Sequence, residues 1–407
     1  MTDLFEKCRG FLYDPSVAES MGYPASPSRA KELGVYPFFI PLEETEGTEV
    51  TIQGRRLVML GSNNYLGLTT HPDVREAAVR AIREFGTSCT GSRFLNGTLA
   101  LHGELEARLA RFVGKERALV FSTGYQANLG VLSALIGRSD IVVCDKEDHA
   151  SIVDGCRLAL GRLARFRHNH PDDLDRVLRA CPDGAGKLVV VDGVFSMGGE
   201  IARLPEIAPI CRKYGARLLV DDAHAVGVLG AGRGTGAHFG MADEVDLVVG
   251  TFSKALASIG GFVAGDEATI HWIQHLARSL IFSASPPAPN VAAALAALDV
   301  LERQPERVRR VNAIADRVRR SLAELGFNVG ESETPIVPIL VGDSLETMKA
   351  WRALFDAGVY VNVAIPPAVP PGKGLLRTSY MATHTDAQMD RVLATFADVG
   401  KKLGLIS

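Results

Sequence analysis

The 407-residue sequence has no closely spaced cysteine pair, no long uninterrupted apolar run and no marked excess of charge of either sign. Its six cysteines, Cys8, Cys89, Cys144, Cys156, Cys181 and Cys211, are scattered. That argues against a zinc site or a disulfide framework, and for reduced thiols. Without a stretch long enough to span a bilayer, no transmembrane segment is expected. Without a basic N-terminal segment leading into an apolar run, no secretory signal is expected either. The formal net charge of −3 lacks the basic excess of polyanion binders. The Arg-rich stretch from Arg303 to Arg320 is interleaved with Glu302, Glu306 and Asp316 at helical spacing, which makes it a solvated helix face rather than a nucleic-acid surface. Repeats and low-complexity tracts are also missing. What remains is a soluble, cytoplasmic globular protein with no metal centre. With 47% hydrophobic and 22% charged residues, it is long enough for two packed domains.

Prolines at positions 15, 24, 27, 37 and 41, with little periodicity around them, predict an irregular N-terminal arm after a short helix, of a kind that often packs on a partner subunit. Glu49 to Leu60 predicts two short strands around a turn. Apolar residues at helical spacing predict helices over Pro72–Phe85 and His102–Phe112. Short apolar strands then alternate with helices: Arg117–Phe121, Ile141–Cys144, Lys187–Asp192, Arg217–Asp221, Leu247–Gly250 and Gly261–Ala264. This alternation predicts an α/β fold whose large, mostly parallel sheet is covered on both faces. After Pro286, Pro287 and Pro289 come an Ala-rich helix, a long charged helix, two or three short strands around Pro335–Val341 and Val359–Val363, and a terminal helix from Asp386. They predict a smaller C-terminal α+β domain. The expected division is an arm with short strands at 1–60, a large domain at 61–289 and a small domain at 290–407.

In such a sheet functional residues gather at the carboxyl ends of the strands, and four ends carry candidate chemistry. Lys254, in Gly250-Thr251-Phe252-Ser253-Lys254, suits a Schiff base with an aldehyde cofactor whose phosphate the Thr251 and Ser253 hydroxyls can bind. Taken alone, a lysine of this kind is more often a surface residue. Asp221, in Val220-Asp221-Asp222-Ala223-His224, is placed to keep a cofactor ring nitrogen protonated; a helix N-cap is the ordinary alternative, with Asp222 its rival for that task. Between Ser122 and Asn128 a strand ends in a turn and a helix begins, and Gly124 lets a phosphate approach the helix amides, although many such turns contain glycine. His149 follows another strand end and can stack on a flat ring, or be an ordinary hydrogen-bonded histidine. The four together are far less expected by chance than any one.

With these residues in this order the sequence resembles the α-oxoamine synthases, pyridoxal 5′-phosphate (PLP) enzymes of fold type I, from about Gly34 onward. The segments that carry the resemblance are GSNNYLG (61–67), GSRFLNGT (91–98), FSTGYQANLG (121–130), DHASIVDG (148–155), DGVFSM (192–197), VDDAHAVG (220–227) and GTFSK (250–254). The resemblance implies an aminotransferase-like fold in which Lys254 carries PLP, Asp221 contacts the pyridine nitrogen, His149 stacks on the ring and His224 lies near the phenolic oxygen. Gly124, Tyr125, Thr251 and Ser253 would surround the phosphate or ring edge, and Ser283 would reach the phosphate from the other subunit of a homodimer with shared active sites. Ser196 would sit near the ring face. Arg377 would pair with the amino-acid carboxylate, a task suited to the bidentate guanidinium, and Asn64 would line the substrate pocket.

The implied reaction condenses an amino acid with an acyl-CoA and releases CoA and carbon dioxide. Phe166 to Asn169, Tyr360 to Asn362 and the Pro366-Pro367-Ala368 loop resemble those members that join L-serine to a long-chain, palmitoyl-like acyl group, giving 3-ketosphinganine for sphingolipid biosynthesis. One departure stands out: where those members have an arginine directly before the Pro-Pro-Ala loop, this chain has Ile365. Glycine C-acetyltransferase and the alanine-using 8-amino-7-oxononanoate synthase therefore stay open. A PLP aminotransferase would share fold, lysine and aspartate but would need no CoA.

Overall fold

A computed structural model describes residue 3, residues 5–21, residue 23 and residues 26–407; of the arm's prolines, Pro24 lies outside the described residues. The chain divides into two compact units. One comprises residues 64–196 and 200–310, the other the chain up to Asn63 with residues 197–199 and 311–407.

The first unit is built on a seven-stranded sheet. In chain order its strands are β1 (Arg117–Phe121), β2 (Ile141–Asp145), β3 (Arg162–Phe166), β4 (Lys187–Asp192), β5 (Arg217–Asp221), β6 (Leu247–Thr251) and β7 (Gly261–Gly265). They lie side by side in the order β1, β7, β6, β5, β4, β2, β3. Strands β2 to β6 pair in parallel, while β7 runs antiparallel to both its neighbours. Successive side chains of a strand point to opposite faces, so a run such as Leu188-Val189-Val190-Val191 requires apolar cover on both. Val190, Leu219 and Val249 pack with Ala127, Val131 and Ile152 of helices on one face. Val189, Val191 and Val220 pack with Leu174, Leu178 and Ile207 on the other. Six strands coincide with predicted ones to within a residue. Strand β3 has no predicted counterpart, because Arg162-Leu163-Ala164-Arg165-Phe166 lies at the sheet edge, half-exposed, and mixes charge with apolar residues.

The second unit holds two small sheets. One places Glu44–Thr45, Glu49–Ile52, Arg55–Met59 and Val359–Tyr360 side by side; the other orders Ile336–Gly342, Gly374–Ser379 and Asn362–Ala364 as an antiparallel ladder. The arm carries three short helices, Glu6–Tyr13, Pro15–Ser20 and Pro27–Glu32, which corrects the expectation of one helix followed by irregular chain. Pro15 and Pro27 open their helices just after Asp14 and Ser26, whose side chains accept the Ser16 and Arg29 amides. At that position a missing N–H costs nothing.

The boundary between units also differs from the expected 290. The Ala-rich helix Ala288–Arg303 stays with the large sheet, because Ala288 and Ala292 pack on Ala77 and Ala81 of the helix Pro72–Phe85. The shift in composition after Pro289 marks small residues needed for close helix packing rather than a new unit. Among the described residues no helix is long and apolar enough to cross a membrane.

Candidate active site

The residues that follow β1, β2, β4, β5 and β6 converge on a cavity of about 330 Å³. At one end β1 leads to Thr123, which caps the helix Gly124–Leu135 by accepting the Gln126 amide at 3.1 Å. The first amides of a helix have no intrahelical partner and form its positive end. Space here is tight: a Cβ on Gly124 would stand 2.9 Å from the Thr251 Cβ, and one on Gly261 would stand 2.5 Å from the Gly124 Cα. The Thr251 hydroxyl lies 2.9 Å from the Ser253 hydroxyl and donates to the Gly260 carbonyl at 2.9 Å. Glycine backbone, helix amides and paired hydroxyls together make an end fit for a phosphate.

His149 caps the next helix, Ala150–Leu158. Its Nδ1 lies 2.8 Å from the Ser151 hydroxyl and accepts the Ser151 amide at 3.3 Å. Burial holds the pKa of this imidazole below its ordinary value; the Asp221 charge opposes that effect and Lys254 adds to it. The backbone of His149 is fixed as well, since its amide donates to Asp192 Oδ2 at 2.9 Å and the Asp192 amide donates to Asp148 Oδ1 at 2.8 Å. Burial first, then repulsion from Asp221 on Asp192 and from Asp192 on Asp148, pushes both carboxyls well above the usual range.

At the end of β5 the two neighbouring aspartates separate. Asp221 lines the cavity, with Oδ1 accepting the Ala223 amide at 2.9 Å and Oδ2 accepting from Asn128 Nδ2 at 2.6 Å. Asp222 is committed elsewhere, accepting the Thr235 hydroxyl at 2.6 Å and amide at 3.0 Å, and burial holds its carboxyl up at about 7. The alternation of a strand sends adjacent side chains apart. His224 lines the cavity and its Nδ1 lies 2.7 Å from the Tyr65 hydroxyl.

Nine predicted site residues, Gly124, Tyr125, His149, Ser196, Asp221, His224, Thr251, Ser253 and Lys254, line this one cavity. Three others are placed differently. The Ser283 hydroxyl accepts from Gln126 Nε2 at 3.1 Å. The Asn64 side chain closes a local turn, accepting the Leu68 amide at 3.0 Å and donating to the Thr69 hydroxyl at 2.8 Å. Arg377 belongs to the other unit, where its Nη1 donates to Asn63 Oδ1 at 3.1 Å and the Ser379 hydroxyl at 2.9 Å. Ile365 is in that unit too, 3% exposed in an apolar cluster with Ala30, Val35 and Met348, so an uncharged residue there has a packing reason. Asn128, Ser151 and Asp192 line the cavity without having been predicted. Spacing gave only a faint signal: Asn128 lies four residues after Gly124 on the same helix face, but an amide or a hydroxyl at such a place is too common to single out.

The model of the class I and II aminotransferase family matches residues 55–396. The chain belongs to that family. It is 47% identical over 381 residues to a serine palmitoyltransferase of Bacteroides thetaiotaomicron, covering 93% of this chain and 97% of that protein. It is 45% identical over 380 residues to an 8-amino-7-oxononanoate synthase of Geobacter sulfurreducens, covering 92% and 97%. Among solved structures, a serine palmitoyltransferase holding PLP superposes with a TM-score of 0.94 at 40% identity, with 100% of both chains covered. Both kinds of relative are α-oxoamine synthases, so the resemblance read from the motifs and the fold type I architecture hold. This chain is an enzyme of that group, and the cavity described above fits the group's cofactor.

Proposed function

We propose that the protein is a PLP-dependent C-acyltransferase that condenses L-serine with a long-chain, palmitoyl-like acyl-CoA, yielding 3-ketosphinganine, CoA and carbon dioxide. One observation carries the reading: a single cavity unites Lys254, Asp221 and His149 with a glycine-lined end fit for phosphate. When bound, PLP supplies an electron sink for charge that develops on the amino-acid Cα. The residues divide the remaining work. Gly124 and Tyr125 amides with the Thr251 and Ser253 hydroxyls would hold the phosphate, and Lys254 would be the covalent anchor. Asp221, pinned by Asn128 and Ala223, keeps the ring nitrogen protonated through its charge. His149 and Ser196 would lie against the ring, and His224, bonded to Tyr65, would serve the phenolic oxygen. The Lys254 amine, which lines the same cavity, would take the Cα proton, since proximity makes it an effective base. Arg377 clamps the amino-acid carboxylate, for which its planar fork is suited, and Asn64 supports the pocket wall.

The reading extends to a cytoplasmic homodimer with shared active sites. Phe94 and Leu95 are 51% and 78% exposed and Phe282 is 73% exposed, on segments joined by the Ser92–Ala284 bridge. Large apolar side chains held in water on adjoining segments are what a partner surface covers. Ser283 beside Phe282 would then serve the partner's phosphate.

The test is a substrate matrix: serine, glycine and alanine against palmitoyl-, acetyl- and pimeloyl-CoA, read by CoA release and product mass. Serine with palmitoyl-CoA is expected to give the highest kcat/KM. A clear win for alanine with pimeloyl-CoA, or for glycine with acetyl-CoA, overturns the substrate assignment, and turnover without any CoA ester would mark an aminotransferase.

A further inference from the structure

We propose that Asn128 and Ser151 form a positioning relay that ties Asp221 to His149 and fixes which nitrogen of the His149 ring carries the proton. The inference rests on the cavity being the cofactor site, and it assigns work to two residues that the reaction itself does not use. Both are buried, each 1% exposed. Asn128 lies in the helix Gly124–Leu135 and Ser151 in the helix Ala150–Leu158, so the relay joins two helices over the ends of the sheet.

The direction of each hydrogen bond follows from what each group can do. The Asn128 amide nitrogen has two hydrogens and two acceptors within reach, Asp221 Oδ2 at 2.6 Å and the Ser151 hydroxyl at 2.9 Å. A carboxylate only accepts, which decides which end of the amide faces it. The Ser151 oxygen, having accepted from Asn128, turns its own hydrogen to His149 Nδ1 at 2.8 Å. The Ser151 amide points at the same nitrogen from 3.3 Å. A ring nitrogen that accepts two hydrogens carries none, so the proton of the neutral imidazole sits on Nε2. The ring also caps a helix, whose positive end disfavours a second proton.

Asp221 ends β5 and His149 follows β2, and β4 lies between those two strands in the sheet. Neither residue reaches the other through the sheet itself. One amide that donates to the carboxylate and to the serine holds the Asp221 charge and the His149 imidazole in a single arrangement. The Asn128 Oδ1 has no hydrogen-bond partner, so all the work of this side chain is done by its two N–H groups.

The experiment is 15N NMR of the histidine-labelled holoenzyme, with the His149 signals identified by their loss in His149→Asn. In the wild type His149 is expected to show a protonated Nε2 and a bare Nδ1. Ser151→Ala and Asn128→Asp should each give a mixture of tautomers, and Ser151→Thr should restore the single form. Each disruptive variant should lower kcat/KM by roughly tenfold, the scale of one lost hydrogen bond to a charged group, and the double variant by little more than either alone. A wild-type His149 protonated on Nδ1 overturns the proposal without any variant. So do variants that lower thermal stability while leaving the His149 tautomer unchanged, since that is a purely structural role. Failure of the wild type to bind PLP would instead refute the cofactor reading, and the His149 tautomer is then read on the protein without cofactor, where the same relay is expected.

Discussion

At the amino ends of the same seven-stranded sheet lies a pocket of about 740 Å³, against about 330 Å³ at the carboxyl ends. The larger one is lined by Lys115, Asp140, Arg217 and Asp246 among others, yet its charges are consumed where they stand. Lys115 donates to the Ala242 and Val245 carbonyls, Arg217 pairs with Asp246 at 2.6 Å, and Asp140 accepts the Gly137 amide at 2.8 Å. In the smaller cavity the polar groups come from five strand ends and orient one another toward shared space. Volume and charge are therefore poor guides to chemistry; groups held in place by other groups, facing a common void, are a better one.

Substitutions at the two edges test this contrast. On the proposed reading, in which one side chain serves as both cofactor anchor and base, Lys254→Ala should reduce CoA-release turnover by at least about a thousandfold. Lys115→Ala should leave kcat and KM unchanged; an equal loss there would erase the distinction between the edges. Next in size, Asp221→Asn should keep the fold and lower kcat by about a hundredfold or more if Asp221 is the charged partner proposed for the ring nitrogen. Near-normal kcat would move the electrostatic role elsewhere.

Smaller effects should appear in stability alone. Asp222→Ala strands the buried Thr235 amide and hydroxyl and should cost about 2–3 kcal/mol in urea unfolding. The same group sets a pH dependence. Folded Asp222 holds its proton up to about 7, against 3.8 for an ordinary aspartate. Its contribution to stability is full below about pH 4, declines as pH rises toward 7, and is level above that. Asp222→Asn should flatten this slope, and an unchanged slope would assign it to other groups. Lys115→Ala leaves two carbonyls short of a donor and should cost about 1–2 kcal/mol. Smallest of all, Arg217→Ala should change stability by less than about 0.5 kcal/mol, because its side chain is 78% exposed and exposed pairs contribute little.

The sequence disclosed the central strands because each is a short apolar run, and it disclosed the ends of those strands because unusual residues stop the runs: Lys254, Asp221, His149 and the turn at Gly124. Elements escaped where that contrast fades. Strand β3 is half wet, and the strand Gly374–Ser379 is buried along its whole length despite carrying Arg377. The arm helices were hidden because proline reads as a breaker until its place at the first helical position is known. Within the cavity, lining residues with distinctive chemistry, such as Lys254, Asp221 and His149, were legible. Asn128 and Ser151 were not, since amides and hydroxyls are common and their value lies in which neighbours they join, a property of the folded contacts. The Ile365 departure read as a lost charge, whereas it packs among apolar side chains of the arm, Ala30 and Val35, and Met348.

Strand β1 sits at one edge of the sheet beside β7, with Phe121 paired to Gly261. During synthesis β1 leaves the ribosome long before the strand that will hold it. The glycine turn that follows β1 therefore has no place in the sheet until Gly265 has been made, by which time Lys254 has been made as well. A nascent chain cannot complete the cavity before β7 is made, and a chain that stops before β7 leaves β1 and the turn at Gly124 as unpaired strand and unanchored helix, the kind of exposed edge that invites aggregation.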